Sequence, residues 1–411
     1  MDEGTDSFTY EIRETETSGE RHLRMERTEI MQPELQQRAG LMAKALFLFL
    51  VIDRGGIVDA APGTLPPATQ TYYQFTTIDI PASPLIFPNG INDHGLVSGT
   101  FADASWNYHG FLWQTGRVTI VNAPGWATTW LYGNNNAGLV AADYEDLIVA
   151  HACLYNVDAQ TWTTLPDIPG KPANWTSGIN NNGTAVGVAS EGNPAWGSLS
   201  NGVAWIWDGV AYSLFTVPGA TGREGTQAGG INDLGQICGR HMDNQGVRHG
   251  FLKCGAVITS FDVPGADGGT AFFTINNEGE VVGTCNAAGA YHGLIMRAGS
   301  FATLDVPGAT DTGIYGINNR GDLVGTYWDA SGRAHGFLAT PERLSITNTG
   351  TNLLISWPVA TVTFQLQSTP SLGDTISWSP VAQAAATNGS TVSVLVPASP
   401  GAAYFRLRRV P

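Results

Sequence analysis

One phrase recurs six times along this chain and leaves it few folds to adopt. The clearest copy runs from Gly313 to Leu338, GIYGINNRGDLVGTYWDASGRAHGFL. It holds an apolar stretch ending Gly-Ile-Asn, a turn closed by Gly, a run of the type Leu-Val-Gly-Thr, a polar loop and His-Gly-Phe-Leu. Aligned on the Asn, the copies fall at Asn92, Asn135, Asn180, Asn232, Asn276 and Asn318, spaced 43, 45, 52, 44 and 42 residues apart. A period in the forties with strand-like content is the size of one propeller blade.

Each unit predicts four short strands. The first runs through Ile317-Asn318, and Asn-Asn-Arg-Gly turns it back, since Gly321 accepts the positive φ of a tight hairpin. Asp322 to Tyr327 is the second, alternating with period two, and Ala334 to Ala339 is the third. The fourth is the Phe-Ala-Thr-Leu-Asp-Val type, which Pro-Gly stops because Pro lacks a ladder donor. This fourth phrase occurs at Phe75–Pro81, Val118–Pro124, Trp162–Pro169, Tyr212–Pro218, Val257–Pro264 and Phe301–Pro307. Its first copy precedes every Gly-Ile-Asn, and the last unit lacks one. The expectation is an all-β, six-bladed β-propeller over residues 73–340, closed by the N-terminal strand pairing with the last third strand.

A chain of 411 residues has room for two or three units, and 51 Gly with 13% charged residues suits an all-β protein rich in turns. The formal charge of −15, with no Lys/Arg stripe, argues against nucleic acid and against an anionic membrane surface as partner. Residues 1–30 carry nine acids and four arginines without an apolar period, so residues 1–60 read as a disordered N-terminus with a signal peptide. The basic stretch from Gln36 leads into eight apolar residues from Ala45 to Ile52, and Val58-Asp-Ala60 offers a cleavage site. Translation from Met31 or Met42 and removal up to about Ala60 are expected, hence a secreted protein; the alternative is a cytosolic protein. The apolar run is too short to span a bilayer, which takes about 20 residues. Residues 61–72 form a linker, and residues 341–411 change pattern to strand runs such as Leu353–Trp357, Thr391–Val396 and Tyr404–Arg408, spaced as in a small β-sandwich. Cys153, Cys238, Cys254 and Cys285 are too sparse for a disulfide framework and are expected as buried free thiols; a Cys238–Cys254 bridge is the alternative.

With Gly-Ile-Asn-x-x-Gly, Val-Gly-Thr, His-Gly-Phe-Leu and Asp-Val-Pro-Gly-Ala in one unit, residues 73–340 resemble the HAF-type probable extracellular repeat family of bacteria. Copies two and three drift from the pattern, with His151-Ala-Cys-Leu154 and Val203-Ala-Trp-Ile206 replacing His-Gly-Phe-Leu. The resemblance implies a secreted or surface location and brings no reaction, cofactor or catalytic residue with it. Residues 341–411 resemble a fibronectin type III-like module through Trp357 and Tyr404-Phe405.

His109, His249, His292 and His335 hold one repeat position, with His151 near it. Ring symmetry keeps such side chains apart, so they read as hydrogen-bonding groups within their own blades rather than ligands of one metal. The Asn of Gly-Ile-Asn and the Asp of Asp-Val-Pro-Gly read as turn devices. Function belongs where copies differ. Loops on one face carry Trp106, Tyr144, Trp196 and Trp328 after second strands, and Trp126 and Trp175 before first strands, with Trp130 at a strand entrance. Carboxylates on that face include Asp143, Glu145, Glu191 and Glu224. Aromatic rings rimmed by acids suit a polysaccharide or cell-surface glycan, the rings stacking on apolar sugar faces. The other reading of these Trp is packing between blades. A carbohydrate-active enzyme with paired acids such as Asp143 and Glu191 on the same face, and a purely structural or adhesive protein, remain the alternatives. No phosphate loop, nucleophile elbow or Cys/His metal spacing is present in the sequence, so no cofactor is expected.

Overall fold

The computed structural model describes residues 12–17, 20–25, 73–145, 149–191, 201–341, 345–349, 351–358, 364–370, 378–389, 391–397 and 404–409. Every helix-length element among them is absent; all regular structure is strand. In the N-terminal unit, residues 1–54, β1 (Ile12–Thr17) and β2 (Glu20–Met25) pair as an antiparallel hairpin. Such a two-stranded ladder forms through backbone groups, and its register sets Glu16 opposite Arg21 and Ile12 opposite Met25. The proposed signal peptide and linker lie outside the described residues.

Between Tyr73 and Pro341 the strands form six four-stranded antiparallel sheets arranged as the blades of a β-propeller. After a leading strand β3 (Tyr73–Ile78), the first sheet holds β4 (Leu85–Ile91), β5 (Val97–Ala102), β6 (Tyr108–Gln114) and β7 (Arg117–Val121). The second holds β8 (Thr128–Asn134), β9 (Leu139–Glu145), β10 (Ala150–Asn156) and β11 (Thr161–Thr164). The third holds β12 (Ala173–Ile179), β13 (Ala185–Ser190), β14 (Val203–Trp207) and β15 (Tyr212–Phe215). The fourth holds β16 (Thr226–Ile231), β17 (Ile237–Met242), β18 (Arg248–Cys254) and β19 (Val257–Phe261). The fifth holds β20 (Thr270–Ile275), β21 (Val281–Ala287), β22 (Ala290–Arg297) and β23 (Ser300–Leu304). In the sixth, β24 (Asp311–Ile317), β25 (Leu323–Trp328) and β26 (Ala334–Pro341) are joined by β3, with Gly336 opposite Ile78 and Ala339 opposite Phe75.

The core is divided into clusters, each shared by two neighbouring sheets. Leu131 and Val140 pack with Leu112 of the first sheet, for example, and Val324 of the sixth packs with Ile86 and Phe111 of the first. In the first, third and fourth sheets the Gly of Val-Gly-Thr makes room for the aromatic residue opposite it on the third strand. Gly187 pairs with Trp205, and a Cβ built on Gly187 would lie 2.3 Å from the Trp205 ring. The second copy exchanges both partners at once, setting Ala142 opposite Cys153. Its departure from His-Gly-Phe-Leu is therefore a coupled change in one core pair, the Cβ gained on the second strand filling part of the space the ring gives up.

The repeat Asn does more than turn a hairpin. Asn92 Oδ1 accepts the amides of His94 and Leu96, both at 3.0 Å, as a turn device should. Its Nδ2 also donates to the Asn135 carbonyl at 3.0 Å. Asn135 donates likewise to Asn180 (2.9 Å), Asn180 to Asn232 (3.0 Å), Asn232 to Asn276 (3.0 Å), Asn276 to Asn318 (3.2 Å) and Asn318 to Asn92 (3.1 Å). The inner strands approach closely enough for this because small residues stand two before the Asn. A Cβ on Gly178 would lie 3.1 Å from the Gly230 Cα.

Residues 345–409 form two further sheets. One contains β27 (Ser345–Asn348), β28 (Asn352–Pro358), β31 (Ala386–Asn388) and β32 (Thr391–Pro397); the other contains β29 (Phe364–Thr369), β30 (Ser379–Pro380) and β33 (Tyr404–Arg409). Ile355, Trp357 and Val394 of the first pack with Leu366 and Phe405 of the second. Three cysteines, Cys153, Cys238 and Cys285, are buried and free; Cys254 is also free but exposed, against the expectation that all four are buried. Cys238 faces Leu252 across the ladder, so the register carries Cys254 past it.

Candidate functional site

The repeat histidines bond within their own sheets. His335 sits between Asp329 (3.3 Å) and Asp79 (3.1 Å), and His249 between Asp243 (3.4 Å) and Asp262 (2.6 Å). His109 reaches Asp103 (3.2 Å) and Asn122 (3.3 Å), and His292 reaches Asp305 (2.8 Å). The Asp of Asp-Val-Pro-Gly is thus an anchor for the histidine across the sheet, a correction to its reading as a turn device. An aromatic residue stacks on the ring in the second strand, as Tyr327 does on His335 at 5.0 Å. Among the described residues no group of three or more His, Cys, Asp or Glu side chains converges as metal ligands would.

At one end of the axis the Gly-Ile-Asn segments surround a cavity of about 70 Å³. Its polar lining is spent on a second cycle of hydrogen bonds. Asp93, for instance, accepts the Asn319 amide at 2.8 Å and the side-chain amides of Asn136 (2.7 Å) and Asn319 (2.8 Å). Asp233 is served in the same way by Asn181 and Asn277. Those donors hold both carboxyls below the usual range against the opposing effect of burial. At this end the Gly-Ile-Asn segments are tied to one another.

The other end is where the copies differ. Five residues before each repeat Asn, about 16 Å along the inner strand, stand Phe87, Trp130, Trp175, Gln227, Ala271 and Gly313. Large aromatic residues occupy the first three. Trp130 stacks on Tyr108 at 4.7 Å and lies near Phe87 (6.3 Å) and Tyr132 (6.4 Å). Trp126, 41% exposed, stacks on Tyr144 at 4.9 Å with an interplanar angle of 18°, and Tyr144 stacks on His151 at 5.1 Å. Aromatic–histidine stacking recurs in other sheets, whereas an exposed Trp laid over it belongs to the second.

Trp106 marks the same end. It closes the turn between β5 and β6 at φ 65°, where the corresponding turns of the fourth and sixth sheets use Gly246 and Gly332 at φ 82° and 80°. A bulky side chain held there costs on the order of 1 kcal/mol or more relative to Gly, an expense with no evident folding return. Trp175 lies half-buried opposite Val188, in the place Trp130 holds one sheet earlier. Two of the candidates have partners within their own sheets. Glu191 is tied to Lys171 (2.9 Å) and Asn201 (2.9 Å) at the end of β13, and Trp328 is 5% exposed, packed rather than presented. Trp196 lies outside the described residues.

Asp143 is 2% exposed, beneath Trp130, which it faces across the ladder. It is not a rim acid: burial, then repulsion from Glu145, pushes its carboxyl well above the usual range, against a hydrogen bond from Tyr132 that lowers it. Glu145, two residues on and so on the same face of β9, is pushed up to about 7 by burial. The acid that partners Asp143 is therefore Glu145 and not Glu191. The folded protein binds a proton at Glu145 that the unfolded chain, titrating near 4.3, has released, so stability falls as pH rises from about 4.5 to 7. Glu145→Gln removes that loss. Because Glu145 is part-exposed and screened by water, the expected gain over the parent at pH 8 is on the order of 1–2 kcal/mol, with none at pH 4. Urea unfolding at both pH values checks this, and an equal difference at the two would refute it.

Sequence reading missed Arg240. It stands at the third position of Val-Gly-Thr, which is Thr100, Thr284 and Thr326 in copies one, five and six but Asp143, Val188 and Arg240 in copies two to four. Arg240 is 7% exposed, donates to Gln227 Oε1 at 2.6 Å and lies 5.4 Å over the Phe273 ring. Arg248 pairs with Glu224 through Nε at 2.9 Å and through Nη2, all three groups being buried with Gln227. Comparing the copies position by position would have exposed this departure; composition could not.

No family model matches the chain, and no curated protein matches it. Among solved structures it is similar to TolB from Acinetobacter baumannii, at 12% identity and a TM-score of 0.42, covering 59% of this chain and 63% of that one. It is also similar to a lectin of Aleuria aurantia solved with Fucα1-6GlcNAc, at 10% identity and a TM-score of 0.42, covering 75% and 97%. A third likeness is to the β-propeller domain of the trilobed protease from Pyrococcus furiosus, at 11% identity and a TM-score of 0.36, covering 62% and 94%. Likenesses of this grade transfer neither ligand nor activity to this chain.

Proposed function

We propose that this protein is a closed six-bladed propeller, acting outside the cell, that binds glycan on the aromatic end of its first three blades. Closure is supported by the pairing of β3 with β26 and by the Asn hydrogen bonds, which return from Asn318 to Asn92. The observation that carries the glycan reading is Trp126, exposed to solvent and backed by Tyr144 and His151 in one stack. An indole held flat from behind offers its free face to the apolar side of a pyranose at little entropic cost. Trp106 in its strained turn and the half-buried Trp130 and Trp175 extend that surface.

Trp126→Ala should weaken binding to a responsive polysaccharide at least tenfold, and Trp175→Ala should weaken it as well, with melting temperatures unchanged. Glycan-array screening followed by affinity electrophoresis measures both, and wild-type affinity in the Trp126 variant sinks the reading. The pairing of Asp143 with Glu145 on one strand face favours a second reading, polysaccharide cleavage by two acids. Reducing-end release lost in Glu145→Gln would support it, and release unaffected by that change would dismiss it.

A further inference from the structure

Resting on the glycan reading, we infer that Trp106 is a second platform beside Trp126, so that this end grips an internal stretch of a linear, β-linked polysaccharide rather than one terminal sugar. The first observation behind this is a paired exchange. The turn from Asp103 to Asn107 is built like those from Asp243 to Val247 and from Asp329 to Arg333. In each, one carboxylate oxygen accepts the amides two and four residues on, as Asp103 Oδ1 does from Ser105 (2.8 Å) and Asn107 (2.9 Å). The fourth residue of the turn is Gly246 in the fourth sheet and Gly332 in the sixth, but Trp106 in the first. The loop leaving the fourth strand changes in the same way. Its turn closes on the amide of Ala266 after the fourth sheet and of Ser83 after β3, each bonded at 3.1 Å to the carbonyl three residues back, and on that of Trp126 (3.3 Å) after the first. Small residues at both stations in two sheets have thus become tryptophan at both stations in one.

The second observation joins the two stations. His109 Nε2 lies 3.2 Å from Asp103 Oδ2, the anchor of the Trp106 turn, and His109 Nδ1 lies 3.3 Å from Asn122 Oδ1, at the head of the Trp126 loop. Asn107 Nδ2 also donates to Asp103 Oδ2 at 3.0 Å, and Thr129 Oγ1 accepts the Ala123 amide at 2.9 Å. A single imidazole therefore fixes the spacing of the two turns that carry the indoles.

The third observation is that Trp106 brings the fold no visible gain. It is half-buried, yet it belongs to neither apolar cluster that borders the first sheet. Its φ of 65° is unfavourable for any residue with a Cβ, so a turn shaped by stability alone would keep Gly. Two residues on, Tyr108 stacks on Trp130 at 4.7 Å, carrying the aromatic surface from that turn toward the inner strand of the second sheet. A pyranose chain with equatorial hydroxyls bares an apolar face on successive rings, and two indoles on neighbouring turns give two of those rings a platform each. The second contact then comes with little further loss of freedom, an advantage that a lone terminal sugar cannot use.

Calorimetry on the whole chain tests this with β-1,4-linked ladders of glucose, N-acetylglucosamine and mannose, from the monosaccharide to the hexasaccharide. For at least one ladder, affinity should rise about tenfold or more between disaccharide and tetrasaccharide and then level off. In Trp106→Gly that rise should shrink to about twofold or less, while the disaccharide, held by Trp126, binds as in the parent and the melting temperature does not fall. Trp106→Tyr keeps a ring and should restore most of the rise. Equal affinity for disaccharide and tetrasaccharide in the parent overturns the inference and leaves a single-platform glycan face standing. A rise kept intact in Trp106→Gly overturns it too. If that variant loses disaccharide and tetrasaccharide alike, Trp106 serves the fold and the inference falls. A parent that binds glycans on an array but no rung of these ladders overturns it alone, and one that binds neither removes both readings together.

Discussion

A chain trimmed to begin at Ile80 should fail to assemble the propeller that a chain trimmed to begin at Tyr73 forms. The missing strand, β3, completes the sixth sheet and carries Ile78, 1% exposed, along with Phe75, whose ring meets Phe337 at 5.9 Å. Losing it also strips His335 of Asp79 and uncovers the ladder edge of β26. Burial of one Ile and one Phe alone is worth about 3–6 kcal/mol, much of the net stability of a typical domain. The expected result is soluble, cooperatively melting protein from the Tyr73 start and aggregated or non-cooperative protein from the Ile80 start, with partial rescue by a synthetic peptide of residues 73–80. Melting temperatures within about 2 °C of one another would mean that the ring does not close through this strand.

Glu224→Ala should be the most damaging substitution in the fourth sheet. It leaves Arg248 and Arg240 buried together with no opposing carboxylate, and breaking a buried pair from one side costs about 3–5 kcal/mol. Glu224→Gln keeps the shape and two acceptor lone pairs and should cost less. Urea unfolding gives the difference directly. A loss below about 1 kcal/mol in Glu224→Ala would show that water reaches the guanidiniums.

How much could be read beforehand differs from one element to the next. The strands of the propeller fall close to where the repeat put them, because period-two patterning and the Asn/Gly turns act over a few residues. Leu323–Trp328 was expected as Asp322–Tyr327, and Ala334–Pro341 as Ala334–Ala339. The hairpin at Ile12–Met25 was overlooked because its residues are charged and alternate without an apolar face. Trp126 and Tyr144 were both candidates, but only the fold shows them in one stack. Asp143 and Glu191 were paired on sequence grounds, and the third sheet carries Glu191 away to Lys171.

By itself, the sequence determined the periodicity, the four strands of each unit, the turn chemistry and the stray leading strand. All of these follow from contacts within a few dozen residues. Tertiary structure decided which copies stand beside one another at the axis and what their unlike residues then meet. Arg240 is separated from Tyr132 by more than a hundred positions, and its neighbourhood follows from inner strands converging on a common line. Whether the Asp143 carboxyl is charged depends on how much water the surrounding strands exclude, a property of the assembled interior that no single stretch of chain carries.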